Sequence, residues 1–278
     1  MVEHLLSCTT HASLLFFTDS GKVYQVPAYE IPEGTRISKG KAIFNFLSLS
    51  QEERITSILA VGNDAGNKAR ERQELQYIVM VTKDGIIKKV EANSFENVRR
   101  SGLIAITLHG SDALRFAKLT SGKDELMLLT REGKAVRFPE RDVRPMGRQA
   151  AGVKGMRFKK ADELVGADVI VTSDKRQATG KLLVIMENGF GKHSHLKEYK
   201  KQRRGGSGIK TAKITPKTGK VVSGHIIGEE EEELIAISRK GQVIRTLLSA
   251  IPTLNRATQG VRVMRLDAGD TVASITTL

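Results

Sequence analysis

Five times along this chain a short apolar run ends in a polar turn and a glycine, and at a nearly fixed distance beyond it a second glycine stands in a basic loop. The turn glycines are Gly21, Gly85, Gly133, Gly189 and Gly241. The runs before them are Leu14 to Phe17, Tyr77 to Val81, Leu126 to Leu129, Leu182 to Met186 and Leu234 to Ile237. Such runs are too short for core helices. Turns such as Thr82-Lys83-Asp84-Gly85 are hairpin chemistry, because glycine tolerates positive φ, so a second strand follows each one.

The loop glycines Gly40, Gly152, Gly208 and Gly260 each lie 19 residues beyond their turn glycine, and Gly102 lies 17 beyond Gly85. Arg36, Arg148, Arg204 and Arg256 stand four positions before them, while the shortened second copy offers Arg99 and Arg100. Each loop glycine is expected to open an apolar strand, as in Gly40-Lys41-Ala42-Ile43-Phe44 and Gly260-Val261-Arg262-Val263-Met264. A last strand follows, such as Val221 to Ile227, giving about four strands per repeat.

The turn glycines are 64, 48, 56 and 52 residues apart. A period near fifty with four strands per unit predicts the blades of a radial, all-β array, in which neighbours cover both faces of each sheet. Polar inserts at Gly62 to Glu74 and Ser173 to Lys181 explain the two longest intervals and read as exposed turns. Repeats start near 13, 76, 125, 181 and 233, and residues 1–12 read as the remnant of a preceding blade whose closing strand is Leu5 to Thr9. Thr271 to Ile275 closes the last repeat. The uninterrupted period predicts one domain over 1–278.

One cysteine excludes a disulfide framework and suits a reducing cytoplasm. No apolar stretch is long enough to span a bilayer, and no signal segment is present. The net charge of +14 is the strongest compositional signal, since such a surplus repels itself unless an anionic partner neutralises it. Four positions after each turn glycine come Gln25, Lys89, Arg137, His193 and Arg245. A radial array turns these positions and the loop arginines into a basic rim that matches duplex phosphates without reading a groove.

The most basic stretch, Lys192 to Lys220, carries ten Lys or Arg against one acidic residue, Glu198. At its centre stands Gln202-Arg203-Arg204-Gly205-Gly206-Ser207-Gly208, flanked by Lys200, Lys201 and Lys210. Its glycines let the backbone bend and present amides, and its paired arginines can fork onto phosphate oxygens. This segment resembles the heptapeptide box of the DNA gyrase A C-terminal domain. The resemblance extends to Pro27 to Pro32, Glu52 to Thr56, Gly133 to Phe138, Arg144 to Gly147 and Thr258 to Val261, and so covers nearly the whole chain.

The resemblance implies a β-pinwheel, a propeller-like ring of four-stranded blades that exchanges strands between neighbours and wraps DNA chirally on its rim. It assigns the wrapping role to Gln202, Arg203, Arg204, Gly205, Gly206 and Gly208. Ser207 departs from the family's Lys or Arg, and the box stands in the fourth complete repeat instead of the first blade. The parent enzyme implied is an ATP- and Mg-dependent topoisomerase in which the rest of the gyrase A protein and the gyrase B protein carry the chemistry, so this domain is expected to need no cofactor.

The sequence supplies no alternative chemistry. Tyr24, Tyr29, Tyr77 and Tyr199 lie in blade motifs and read as packing or DNA-contact residues. His193 and His195 could face a metal, yet no Cys, Asp or Glu cluster completes a site, and they read as a surface or phosphate-facing pair. No P-loop pattern exists. Glu229 to Glu233 reads as a solvated turn, with competition against DNA as the sharper alternative. Two rival readings are a topoisomerase IV C-terminal domain that binds without strong wrapping, and a protein-interaction propeller whose rim meets an acidic protein.

Overall fold

The computed structural model describes residues 6, 8–34, 40–62, 76–99, 101–158, 161–172, 180–228 and 231–277. Its strands run in chain order as β1 (Ser13–Thr18), β2 (Lys22–Pro27), β3 (Ile55–Val61), β4 (Tyr77–Thr82), β5 (Ile86–Glu91), β6 (Leu103–Ile104), β7 (Leu114–Thr120), β8 (Glu125–Thr130), β9 (Lys134–Pro139) and β10 (Val153–Lys154). They continue as β11 (Leu164–Ile170), β12 (Lys181–Met186), β13 (Phe190–His195), β14 (Ile209–Lys210), β15 (Val221–Ile227), β16 (Glu233–Ser238), β17 (Val243–Leu247), β18 (Val261–Arg262) and β19 (Val272–Thr277). Among the described residues the only helical elements are 3-10 turns of three or four residues.

Five sheets result, one per repeat, and the all-β expectation holds. In each, the hairpin strands pair across the turn glycine and the first strand also pairs with the closing strand, as in β3-β1-β2 and β15-β12-β13. The fourth strand is a two-residue piece from the next repeat: β6 joins β2, β10 joins β5, β14 joins β9 and β18 joins β13. This is the strand exchange that the resemblance implied. The fifth sheet, β17-β16-β19, has three strands.

The exchange explains where the expected strands differ. Gly40 does not open a strand; Ile43–Asn45 form a 3-10 turn instead. A two-residue strand exists only as a pairing with an earlier hairpin, and no earlier hairpin is among the described residues. Of the expected closing strand at Leu5 to Thr9, Leu6, Cys8 and Thr9 are described and are not in a strand. Residues 63–74 and 173–179 of the two inserts lie outside the described residues, and Lys181 begins β12. Glu229 and Glu230 also lie outside them, whereas Glu233 is not in a turn but begins β16, so the acidic run ends inside a strand.

By contacts the chain divides into two compact units, Val2–Gly122 with Val143–Val153, and Lys123–Asp142 with Lys154–Leu278. In the first, alternate residues of β1 face opposite cores: Leu15 and Phe17 pack with Ile78, Met80 and Phe95, while Leu14 and Phe16 pack with Tyr24, Val26 and Leu47. In the second, β12 does the same, with Leu182, Val184 and Met186 against Met127 and Leu129, and Leu183 and Ile185 against Leu234 and Ala236. This two-sided burial is why the first hairpin strands are unbroken apolar runs. Gly21, Gly133 and Gly189 face the next repeat closely: a Cβ on Gly189, at φ +77°, would lie 2.2 Å from the Met264 carbonyl oxygen, whereas one on Gly241 would meet nothing within 4 Å.

Candidate nucleic-acid interface

In the last three repeats the segment between the second hairpin strand and the closing strand touches the second hairpin strand of the earlier repeat at two places. Near its end the exchanged strand pairs beside the turn glycine, as Lys210 does with Lys134 and Arg262 with Phe190. Earlier, an amide six residues before the loop glycine donates to the residue four beyond the turn glycine. Met146 donates to Lys89 O at 2.8 Å, Gln202 to Arg137 O at 2.7 Å and Leu254 to His193 O at 2.8 Å. The basic loops are thus strapped to the sheets at both ends, which gives each the same frame.

That strap decides the fate of the fourth position after the turn glycine. Lys89 is 4% exposed, with its ammonium 4.9 Å from the Tyr77 ring centroid. Arg137 donates to Glu125 at 2.6 Å and to Leu196 O at 2.9 Å. His193 is 4% exposed, so the expected surface pair with His195 is not formed as such; burial, then the Lys181 charge, pull its ring down to about 4. Arg245 is exposed and donates to Glu233 at 2.7 Å. Gln25 accepts from the Val98 amide at 3.1 Å. The repeated spacing is real, but the neighbouring loop covers three of its five members.

The box itself is an ordered loop. Gly205 donates its amide to Gly155 O at 2.7 Å, and Gly206 O accepts from the Arg157 amide at 2.9 Å. Gly208, at φ +71°, leaves no room for a Cβ, which would lie 2.6 Å from the Met156 methyl carbon. Arg204 donates to Asp142 O at 3.1 Å and Lys154 O at 2.7 Å. Arg203, Lys200 and Lys210 are exposed, and their side chains make no hydrogen bond or ion pair with a described residue. Lys201 is exposed and pairs with Glu125. Gln202 is half-buried, with an amide nitrogen that has no partner among the described residues.

Two other loop arginines behave like Arg204. Arg148 donates to Ser94 O at 3.0 Å and Arg256 to Lys210 O at 3.0 Å. Arg99 is exposed, and Arg36 and Arg100 lie outside the described residues. A carbonyl uses only part of a guanidinium, which has five donors.

Sequence reasoning missed Lys88 and Lys192, three positions beyond their turn glycines and both 0% exposed. Lys88 donates to Ala105 O at 2.7 Å and to Arg148 O. Lys192 donates to Ser194 at 2.9 Å, Asn255 O at 2.7 Å and Arg256 O at 2.6 Å. Burial lowers both ammonium groups to about 8. For Lys88 the available signal was a lysine between Ile86 and Val90 on one strand face; Lys192 shares its face with Phe190 and Ser194, which offers no such contrast.

Of the tyrosines, Tyr24 and Tyr199 are 1% exposed, with hydroxyls bonded to Glu53 and Thr211, and Tyr29 is 68% exposed. Among the described residues no three His, Cys, Asp or Glu side chains gather as metal ligands, and no helix is long and apolar enough to cross a membrane.

The family model described as DNA gyrase C-terminal domain, beta-propeller, matches residues 12–61, 76–121, 124–170, 181–227 and 232–278. The DNA gyrase A protein of Mycolicibacterium smegmatis is 37% identical over 277 residues, covering 99% of this chain and 31% of that protein. Its Staphylococcus epidermidis counterpart is 38% identical over 274 residues, covering 99% and 29%. The chain therefore spans less than a third of the relatives it matches. A solved DNA gyrase A C-terminal domain superposes with TM-score 0.78 at 26% identity, over 97% of this chain and 83% of that one. The C-terminal domain of DNA topoisomerase IV superposes with TM-score 0.83 at 25% identity, over 97% and 80%. With five matched segments falling on the five sheets and relatives along its full length, the chain belongs to the DNA gyrase C-terminal domain family.

Proposed function

We propose that this chain binds duplex DNA without base specificity and wraps it with a fixed hand, as a non-catalytic part of a bacterial DNA gyrase A protein. The single observation that carries the reading is the box loop. It holds a rigid, glycine-built backbone from which Lys200, Arg203 and Lys210 project unpaired, in a chain of net charge +14. Phosphate contacts of this kind position a duplex without reading it, and they offset an elastic bending cost of roughly 1–6 kcal/mol for a short site. Lys201, Gln202, Arg204 and the glycines shape that loop, and Arg99, Arg148, Arg245 and Arg256 add exposed or half-exposed positive charge to the other repeats.

In this reading the remainder of the gyrase A protein and the gyrase B protein are the protein partners, ATP and Mg serve other parts of the enzyme, and the location is the cytoplasm. The test is topological. A closed circular plasmid is relaxed by a separate topoisomerase I with the domain bound, and its linking number is counted. A change that grows with protein, and disappears for Arg203→Ala with Arg204→Ala, supports chiral wrapping. Binding without a linking change favours tethering, a reading helped by the comparable likeness to the topoisomerase IV domain. No binding at low salt defeats both.

A further inference from the structure

The second and fifth residues beyond the loop glycines are Lys154 and Arg157, Lys210 and Lys213, and Arg262 and Arg265 in the last three repeats. The first two repeats have Ala42 and Asn45, then Ile104 and Thr107. All six cations are exposed, and none of their side chains is hydrogen-bonded or ion-paired to a described residue. They contrast with the covered Lys89 and Arg137, although all are equally regular in sequence.

Their backbone is fixed by neighbouring segments. Between the two cations the fourth residue, Met156, Ala212 or Met264, is at most 2% exposed. Thr211 and Ala212 donate their amides to Gly133 O at 2.8 and 3.3 Å, and Val263 and Met264 to Gly189 O at 2.8 and 3.0 Å. The box of the following repeat then closes over the pair. Arg204 takes the Lys154 carbonyl at 2.7 Å while Gly206 O takes the Arg157 amide at 2.9 Å. One repeat later, Arg256 takes the Lys210 carbonyl at 3.0 Å and Thr258 O the Lys213 amide at 2.9 Å.

The surroundings are cationic. Lys134 pairs directly opposite Lys210. Lys217 and Arg262 lie 5.5 and 5.6 Å from the Phe190 ring centroid, and with Arg265 they line a cavity of about 510 Å³ with no carboxylate among its described lining residues. Like charges held together without counter-ions raise the energy of the free protein and are relieved by an anion.

We infer that these three cation pairs are the principal phosphate contacts of the DNA-binding face, and that Arg204 and Arg256 are positioning residues that clamp the first two of them. The inference rests on the duplex-binding reading above and concentrates the contacts on the last three repeats. Each neutralised phosphate contributes about 0.9 to the slope of log affinity against log salt.

The experiment measures duplex affinity by fluorescence anisotropy over a salt series. One variant changes all six residues to Gln, a second exchanges Lys for Arg and Arg for Lys at the same places, and a third changes Lys41, Arg54, Arg141, Arg144, Lys197 and Arg239 to Gln as a control of equal charge. The expected result is a slope shallower by about 5 for the first variant, restored in the second, and changed by about 1 or less in the control. A first variant that loses no more slope than the control overturns the assignment while leaving DNA binding intact. An unaltered chain that binds no duplex at low salt overturns the functional reading as well. For the clamp, Arg204→Ala should weaken binding in the unaltered chain and add little once Lys154→Gln and Arg157→Gln are present; an equal loss in both backgrounds overturns the positioning role.

Discussion

The buried ammonium of Lys192 donates to the backbone carbonyl of Arg256 at 2.6 Å, across 64 residues of sequence. The same group takes the Asn255 carbonyl, so one lysine in a hairpin strand holds two consecutive carbonyls of the next repeat's basic loop. Lys192→Met keeps the length of the side chain and removes the donor. An unmet buried carbonyl costs about 1–3 kcal/mol. Urea unfolding should therefore show a loss of at least about 2 kcal/mol, and Lys88→Met, which releases Ala105 O and Arg148 O, should behave alike. A midpoint unchanged in both variants would mean that the loops hold their shape without these donors.

Acid should act through Glu53. Burial pushes its carboxyl up, but hydrogen bonds from Ser20 at 2.6 Å, the Ser50 amide at 3.1 Å, Lys22 at 3.0 Å and Tyr24 at 2.8 Å outweigh it and bring it down to about 2. A folded-state value below the ordinary 4.5 means that the unfolded chain binds the proton more tightly. The stabilisation is therefore complete above about pH 4.5 and is lost as pH falls through about 2, with a ceiling of about 3 kcal/mol. Unfolding of Glu53→Gln should lack this acid-dependent component. Parallel pH profiles for the two proteins between pH 5 and about 2 would refute the assignment.

Two glycines of the box differ sharply in what they tolerate. Gly208 has φ +71°, and an added Cβ meets the Met156 methyl at 2.6 Å and the Ala135 carbonyl oxygen at 2.7 Å. Gly206 lacks a positive φ, and its nearest contact would be an ordinary 3.4 Å. Gly208→Ala should lower stability by about 1–3 kcal/mol, and Gly206→Ala should leave it within about 0.5 kcal/mol. Thermal unfolding of the two single variants checks the contrast; equal midpoints would remove the steric account.

The repeat and the hairpins come from features local in sequence: a turn glycine, an apolar run, a loop glycine at fixed offset; the exchange was legible only through the family resemblance, because it pairs residues far apart, as Lys210 with Lys134. The side chains they carry were less legible. Lys89, Arg137 and His193 share a spacing that reads as a surface stripe, yet each is covered by a loop from the next repeat, paired in parallel with Pro145, Lys201 and Thr253. Spacing reports which residues are equivalent; it does not report what lies over them. For the same reason Arg204 and Arg256 were legible as a set but not as donors to the Lys154 and Lys210 carbonyls, since those partners lie 50 and 46 residues away. Gly40 shows the reverse limit, because its sequence suits a strand and the partner edge decides whether one forms.

Arg137 and Arg203 separate, in one experiment, a structural arginine from one that the proposed function turns to DNA. The Arg137 side chain is 12% exposed and donates to Glu125, itself 5% exposed, and to Leu196 O, so its charge is already compensated inside the fold. Glu125 is held low despite burial because Lys201 and Arg137 both reach it. Arg137→Ala should cost about 1–3 kcal/mol, since it leaves the Leu196 carbonyl without its donor and the buried Glu125 with Lys201 alone, and it should change the salt slope of DNA binding little. Arg203 is exposed and unpaired among the described residues, so Arg203→Ala should leave unfolding unchanged and, under the proposed function, make the slope shallower by about 1. The reverse result, a stable Arg137→Ala protein with weakened DNA binding, would mean that Arg137 leaves Glu125 to meet phosphate, and that the fourth position after the turn glycine is DNA-facing after all.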